Sequence, residues 1–153
     1  MKVINEVAPS DPAQMAEMMK DGPDGPIFMV NLLKFKDKAE YADGRETELT
    51  GREAYGIYGQ GVAQLLPEFG GHVFFVADTT FLALGQGEVL WDEVAIAAYP
   101  NRRALVDMAA SQAWQDIAVH RAAGLAGQLN IESVVPDGAK ALPWLDLFLK
   151  TFK

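Results

Sequence analysis

The segment Ile27 to Phe35, IFMVNLLKF, is apolar at both alternating parities and interrupted only by Asn31 and Lys34. A run of that length and character predicts a strand with both faces covered. Downstream, Tyr55, Tyr58, Val62, Leu65, Leu66 and Phe69 recur at helical spacing, which predicts a helix over 51–69 with Gly70-Gly71 as its stop. The segments His72 to Ala77 and Thr80 to Leu84 read as one long or bulged strand. Gly85-Gln86-Gly87 turns it into Val89 to Tyr99, which makes a hairpin. Pro100-Asn101-Arg102 breaks that pattern, and Arg103 to Ala110 opens a helical segment that continues past Ser111, a new cap. Beyond the cap, Trp114, Ile117, Ala118, Arg121 and Leu125 share one stripe, with Gly124 available as terminator. Gly127 to Val135 alternates Leu129, Ile131 and Ser133 with Asn130 and Glu132, the pattern of a half-buried edge strand.

Weaker patterns flank this series. Ser10 or Asp11 can cap a peripheral helix that has Pro12 at its first position and Met15, Met18 and Met19 along one side. Two prolines and two glycines in 22–26 end it. The charged stretch 36–50 lacks an apolar period and is expected to be an exposed loop. In the tail, Leu142, Leu145, Phe148, Leu149 and Phe152 follow Pro143 at helical spacing and need a surface to cover, on this chain or on a partner. The expected division is an N-terminal helical lead over 1–25, a domain over 26–135 and a C-terminal amphipathic helix over 136–153.

The order β-α-β-β-α-β predicts an α+β domain of ferredoxin-like type, with a four-stranded antiparallel sheet. Two helices cover one face of such a sheet, yet the strand over 27–35 and the hairpin are apolar on both. The simplest cover for the second face is another copy of the chain, because a two-fold interface needs only one self-complementary surface. A homodimer is therefore expected, and a monomer whose terminal segments fold over that face is the alternative.

Composition narrows the function. With 153 residues, 50% of them hydrophobic, a single core is expected. Thirteen basic and 21 acidic residues give a net charge of −8, scattered along the chain, which opposes a nucleic-acid partner. The chain holds no cysteine, so thiolate metal sites and cysteine nucleophiles are excluded. The first residues turn polar too early for a secretory signal, and no apolar run approaches the roughly 20 residues that cross a bilayer. A cytoplasmic home, without membrane attachment, is the expectation.

The segments PIFMVNLLKF, YGIY, GGHVFFVA and WDEVAIAAYPNRRALVDMAASQAWQDIAVHRAAGL, followed by a last strand, carry a likeness. Over about residues 26–135 the chain resembles the family catalogued as domain of unknown function 1330, within the dimeric α+β barrel superfamily. Asn31-Leu32-Leu33-Lys34-Phe35 and Tyr99-Pro100-Asn101-Arg102 are the most telling pieces. The resemblance implies two ferredoxin-like protomers with their sheets face to face, and no particular reaction. Members of the superfamily range from cofactor-free monooxygenases and isomerases to haem enzymes and ligand-sensing regulators, so fold does not choose among them. Quinone-forming monooxygenases among them use an asparagine and a tryptophan near the substrate, which singles out Asn31 and Trp91.

The residues themselves suggest a cleft between sheet and helices. A buried amide such as Asn31 must find a hydrogen-bond partner or a ligand. Arg121, on an apolar stripe, should meet a ligand anion or an acid such as Asp92 or Glu93. Tyr55 and Tyr58 on the sheet-facing side of their helix can orient or protonate a substrate, or simply pack. His120 points about 100° away from Arg121 and, like His72, could serve as general base only if the fold brings it to the site. The expected catalytic set is Asn31, Tyr55, His120 and Arg121, and the expected substrate-binding set is Asn31, Tyr55, Tyr58, Trp91 and Arg121. No metal site and no cofactor is expected, and the spacing of Gly56, Gly59 and Gly61 differs from a dinucleotide loop. The expected ligand is a small aromatic or carboxylated metabolite, and the chemistry that this residue inventory suits is proton transfer or cofactor-free oxygenation. The alternative is a binding or assembly module whose polar groups satisfy one another.

Overall fold

The computed structural model describes residue 6, residues 10–87 and residues 90–152. In chain order it holds α1 (Pro12–Met18), β1 (Ile27–Phe35), α2 (Gly51–Leu65), β2 (His72–Asp78), β3 (Glu93–Tyr99), α3 (Arg102–Ala110), α4 (Gln112–Gly124), β4 (Leu125–Ser133) and α5 (Pro143–Leu149). The four strands pair antiparallel in the order β2-β3-β1-β4. Each β-α-β unit thus straddles a strand of the other, which is the ferredoxin-like α+β fold.

Local chemistry sets the boundaries. Thr50 caps α2 in a reciprocal box, accepting from the Glu53 amide while the Glu53 carboxylate accepts from the Thr50 amide. Gly70, in the left-handed region at φ 70°, ends the short 3-10 turn that follows α2. Asn101 caps α3 through its side-chain oxygen, and Ser111 both ends α3 and caps α4 by accepting from the Trp114 amide.

Several expectations need correction. Thr80 to Leu84 is not strand: the β2-β3 ladder stops at the Asp78–Glu93 pair, and the Thr79 amide reaches Asp92 across the closing turn. β3 accordingly begins at Glu93. Val89, where the hairpin's second strand was expected to start, lies with Glu88 outside the described residues. β4 begins at Leu125, directly after α4, because a register shift at Lys34/Phe35 brings Leu125 opposite Phe35. The stretch 36–50 is not wholly exposed: Ala39 and Tyr41 are buried against Ala54 and Ala123, forming a small second core.

The main core lies between the sheet and its helices, where Ile27 and Met29 of β1 and Tyr99 of β3 meet Leu65, Leu66 and Met108. At the crossing of α2 and α4, Gly51 approaches Gly124 so closely that a methyl on Gly51 would lie within 2.7 Å of three backbone atoms of Lys36 and Gly124. On the opposite face α5 docks in cis. Its Leu145 and Phe148, with Phe152, pack on Phe28, Phe74 and Ala98, and Phe28 and Phe74 meet edge-to-face at 5.1 Å. The tail thus hides part of the face for which a partner copy was expected to be the simplest cover.

Candidate functional site

Between the helix-facing side of the sheet, α2, α4 and the flank of α1 lies a cleft of about 1750 Å³. Small residues create it. Ala95 and Ala97 of β3 form its floor, and Gly56 and Gly59 of α2 border it from above; a methyl built on either glycine would meet no atom within 4 Å. Aromatic rings line the walls. Tyr55 stacks obliquely between Phe35 and Tyr58, at 5.4 Å from each, and the Trp114 indole donates to the Tyr58 hydroxyl at 3.4 Å.

A polar chain crosses this apolar setting. The Arg121 guanidinium, buried at the foot of α4, donates to the side-chain oxygen of Gln128 and to the backbone carbonyl of Glu6 at 2.7 Å. Gln128 passes the chain on, donating to Asn31 Oδ1 at 2.6 Å, and the Asn31 amide donates to the carbonyls of Met29 and Ala95 at 3.1 Å each. Both of these Arg121 acceptors are neutral oxygens. At the other end, Arg52 bridges Glu93 at 3.1 Å and Asp78 at 2.7 Å, and lies over the Phe35 ring.

Burial governs the ionisation of these groups. It pushes the Tyr55 phenol well above its ordinary value, with Tyr58 and Glu93 adding to the rise and Arg121 opposing it. Tyr58 and Tyr99 are raised by burial as well. All three are therefore proton donors at neutral pH. Burial also lowers Arg121, against the opposing pull of Tyr58 and Tyr55, and raises the Glu93 carboxyl, with Arg52 pulling it back.

The family described as Domain of unknown function (DUF1330) matches residues 41–134. The chain belongs to this family. Among solved structures it is similar to the methylated RPA0582 protein, with 30% identity, a TM-score of 0.76, and coverage of 87% of this chain and 97% of that one. It is likewise similar to the RPA0582 protein of unknown function from Rhodopseudomonas palustris, with 28% identity and a TM-score of 0.73 over 85% of this chain and 98% of that one. None of the curated proteins matches the chain.

The DUF1330 stretch holds Tyr55, Tyr58, Trp114, Arg121 and Gln128, whereas Asn31 precedes it. Of the residues singled out from sequence, Asn31, Tyr55, Tyr58 and Arg121 all line the cleft. Trp91 and His120 do not. Trp91 precedes β3, where its carbonyl accepts from the Thr79 hydroxyl. His120 Nδ1 shares a 2.6 Å hydrogen bond with the Tyr41 hydroxyl, on the side of the small second core. His72 lies against Phe148 and Phe152 on the far face. Asp92 holds Lys34 at 2.6 Å and the Phe35 amide at 2.8 Å, so it serves neither Arg121 nor the cleft.

Sequence reasoning missed Gln128, Trp114, Arg52 and Glu93 as lining residues. The signal for Gln128 was present in the alternation of β4, whose polar parity (Gln128, Asn130, Glu132) faces the cleft instead of bulk solvent. Among the described residues no group of three or more His, Asp or Glu could hold a metal ion, and no helix is long and apolar enough to cross a membrane.

Proposed function

We propose that the cleft binds a small aromatic carboxylate, with its ring between Tyr55, Tyr58 and the alanine floor and its carboxylate directed to Arg121. The observation that carries this reading is a buried guanidinium on the wall of an aromatic cavity, because a guanidinium pairs with a carboxylate through charge-assisted hydrogen bonds. Tyr55 and Tyr58, held protonated, donate to a carbonyl or phenolic oxygen on the ligand. If chemistry follows binding, it is proton transfer in which a tyrosine acts as acid and Arg121 stabilises developing negative charge. His120, engaged with Tyr41, is a poor candidate for the base.

A thermal-shift series of aromatic carboxylates tests this. A ligand at 100 times its dissociation constant should stabilise the chain by about 2.7 kcal/mol. Arg121→Gln should abolish the shift, and a shift that survives the substitution removes the assignment.

We further propose that the protein works as a homodimer. α5 leaves part of the outer face uncovered, and Phe75, Ile131, Trp144 and Leu147 remain exposed there; Phe81 and Leu84, on the segment between β2 and β3, are 73% and 92% exposed. An apolar surface of that extent is the mark of an interface. Light scattering should return twice the mass of one chain, and a monomer mass would end the proposal.

A further inference from the structure

The cleft has a second polar end, away from Arg121. Glu93 opens β3 and lines the cavity just before the alanine floor of Ala95 and Ala97, with its side chain only 14% exposed. Arg52 donates to Glu93 Oε2 at 3.1 Å, but the same nitrogen lies nearer Asp78, at 2.7 Å, so two carboxylates share one donor. Among the described residues no hydrogen bond reaches the other Glu93 oxygen, Oε1. Glu132 supplies the contrast. This carboxylate on β4 also lines the cleft, but Arg102 takes both of its oxygens at 2.7 Å and ties them to α1 through the Glu17 carbonyl. The sheet register fixes where the two ends stand. Gln128 of β4 and Glu93 of β3 are both cross-strand partners of Leu33 on β1, so the three side chains share a face. Two inter-strand spacings, about 10 Å, separate Gln128 from Glu93. Arg121 is bonded to Gln128. Beyond the rise that burial and Tyr58 impose, the Tyr55 phenol is lowered by Arg121 and raised by Glu93, so its ring lies within reach of both charges.

From this placement we infer that Glu93 is a second anchor of the cleft, and that the ligand carries a hydrogen-bond donor, a phenolic hydroxyl, at the end opposite its carboxylate. The inference rests on the aromatic-carboxylate reading of the same site. With the carboxylate at Arg121 and the ring over Ala95 beside Tyr55, a substituent on the ring's far edge points to Glu93. The gap between the two ends is the size of a substituted aromatic ring. Arg52 holds Glu93 by Oε2 and so fixes the direction of Oε1. An ionised carboxylate accepts hydrogen bonds and donates none, so Glu93 selects a hydroxyl there and repels a second anion.

Titration calorimetry on the full chain tests this with two matched pairs, 6-hydroxy-2-naphthoate against 2-naphthoate and 4-hydroxybenzoate against benzoate. In at least one pair the hydroxyl should tighten binding about tenfold or more, the effect of a hydrogen bond to a charged group. Glu93→Gln keeps the shape of the side chain and removes its charge, and should cut that advantage to about threefold or less. The inference is overturned if neither hydroxyl tightens binding to the unaltered chain, a comparison that needs no variant. It is equally overturned if the advantage survives Glu93→Gln in full. Arg121→Gln separates the two levels. If 2-naphthoate does not bind the unaltered chain, or binds the Arg121→Gln variant just as tightly, the aromatic-carboxylate reading itself fails. If its binding depends on Arg121 while neither hydroxyl gains, only the second anchor fails.

Discussion

Gly56 and Gly59 lie in the interior of α2, where glycine is worse than alanine by about 0.8–1 kcal/mol per position because its backbone loses more freedom on folding. Neither has a positive φ, and a methyl on either would meet no atom within 4 Å. Gly56→Ala and Gly59→Ala should each therefore gain nearly the full propensity difference, and the double variant about 1.5–2 kcal/mol. For a chain of this length, each kcal/mol moves the melting temperature by about 2–4 °C, so a rise of roughly 3–8 °C is expected in a circular-dichroism melt. The same methyls project into the cleft and should weaken binding of a planar ligand, so the two glycines trade stability for room. Gly51 supplies the contrast. Its methyl would collide with backbone atoms of Lys36 and Gly124, and Gly51→Ala should cost about 1–3 kcal/mol or more. A lower melting temperature for Gly56→Ala would refute the reasoning, since it would mean that the space opposite α2 is filled by packed chain.

Other consequences are as direct. The imidazole of His120 is held below its ordinary value by burial and by the charge of Arg45. A basic group whose pKa is lowered on folding opposes the fold once protonated, so stability should fall as pH drops below 6.5 toward that lowered value. Urea midpoints compared with those of His120→Gln would show the slope flattened, and an unchanged slope would contradict it. Phe148 joins Phe28, Phe74, His72 and Phe152 in one aromatic cluster. Phe148→Ala should cost about 2–3 kcal/mol and make α5 cleavable by protease at concentrations that leave the unaltered chain intact; full resistance would show that α5 is held by other contacts.

What could be read in advance follows from how local each determinant is. β1 was legible to the residue, Ile27 to Phe35, because a central strand carries its burial in an unbroken apolar run. The start of α2 at Gly51 was legible for the same kind of reason, with the Thr50–Glu53 box just ahead of it. Thr80 to Leu84 misled because its aromatic and branched residues suit a strand, whereas the turn is closed by pairing of Thr79 with Asp92, and of Asp92 with Leu33, which no local pattern announces. Asn31 and Arg121 stood out as polar groups in apolar company. Gln128, which joins them, became visible only through the register of β4 on β1. Arg102 belongs to a tetrapeptide that carried the family likeness, yet its role depends on Glu132, 30 residues away, and on Glu17, 85 residues away.

The binding claim is tested most directly by a crystal structure of the protein with 2-naphthoate. The account predicts the ring between Tyr55 and Tyr58, with a carboxylate oxygen about 2.7–2.9 Å from an Arg121 nitrogen. Naphthoate found only on the apolar outer face, away from Arg121, would contradict it.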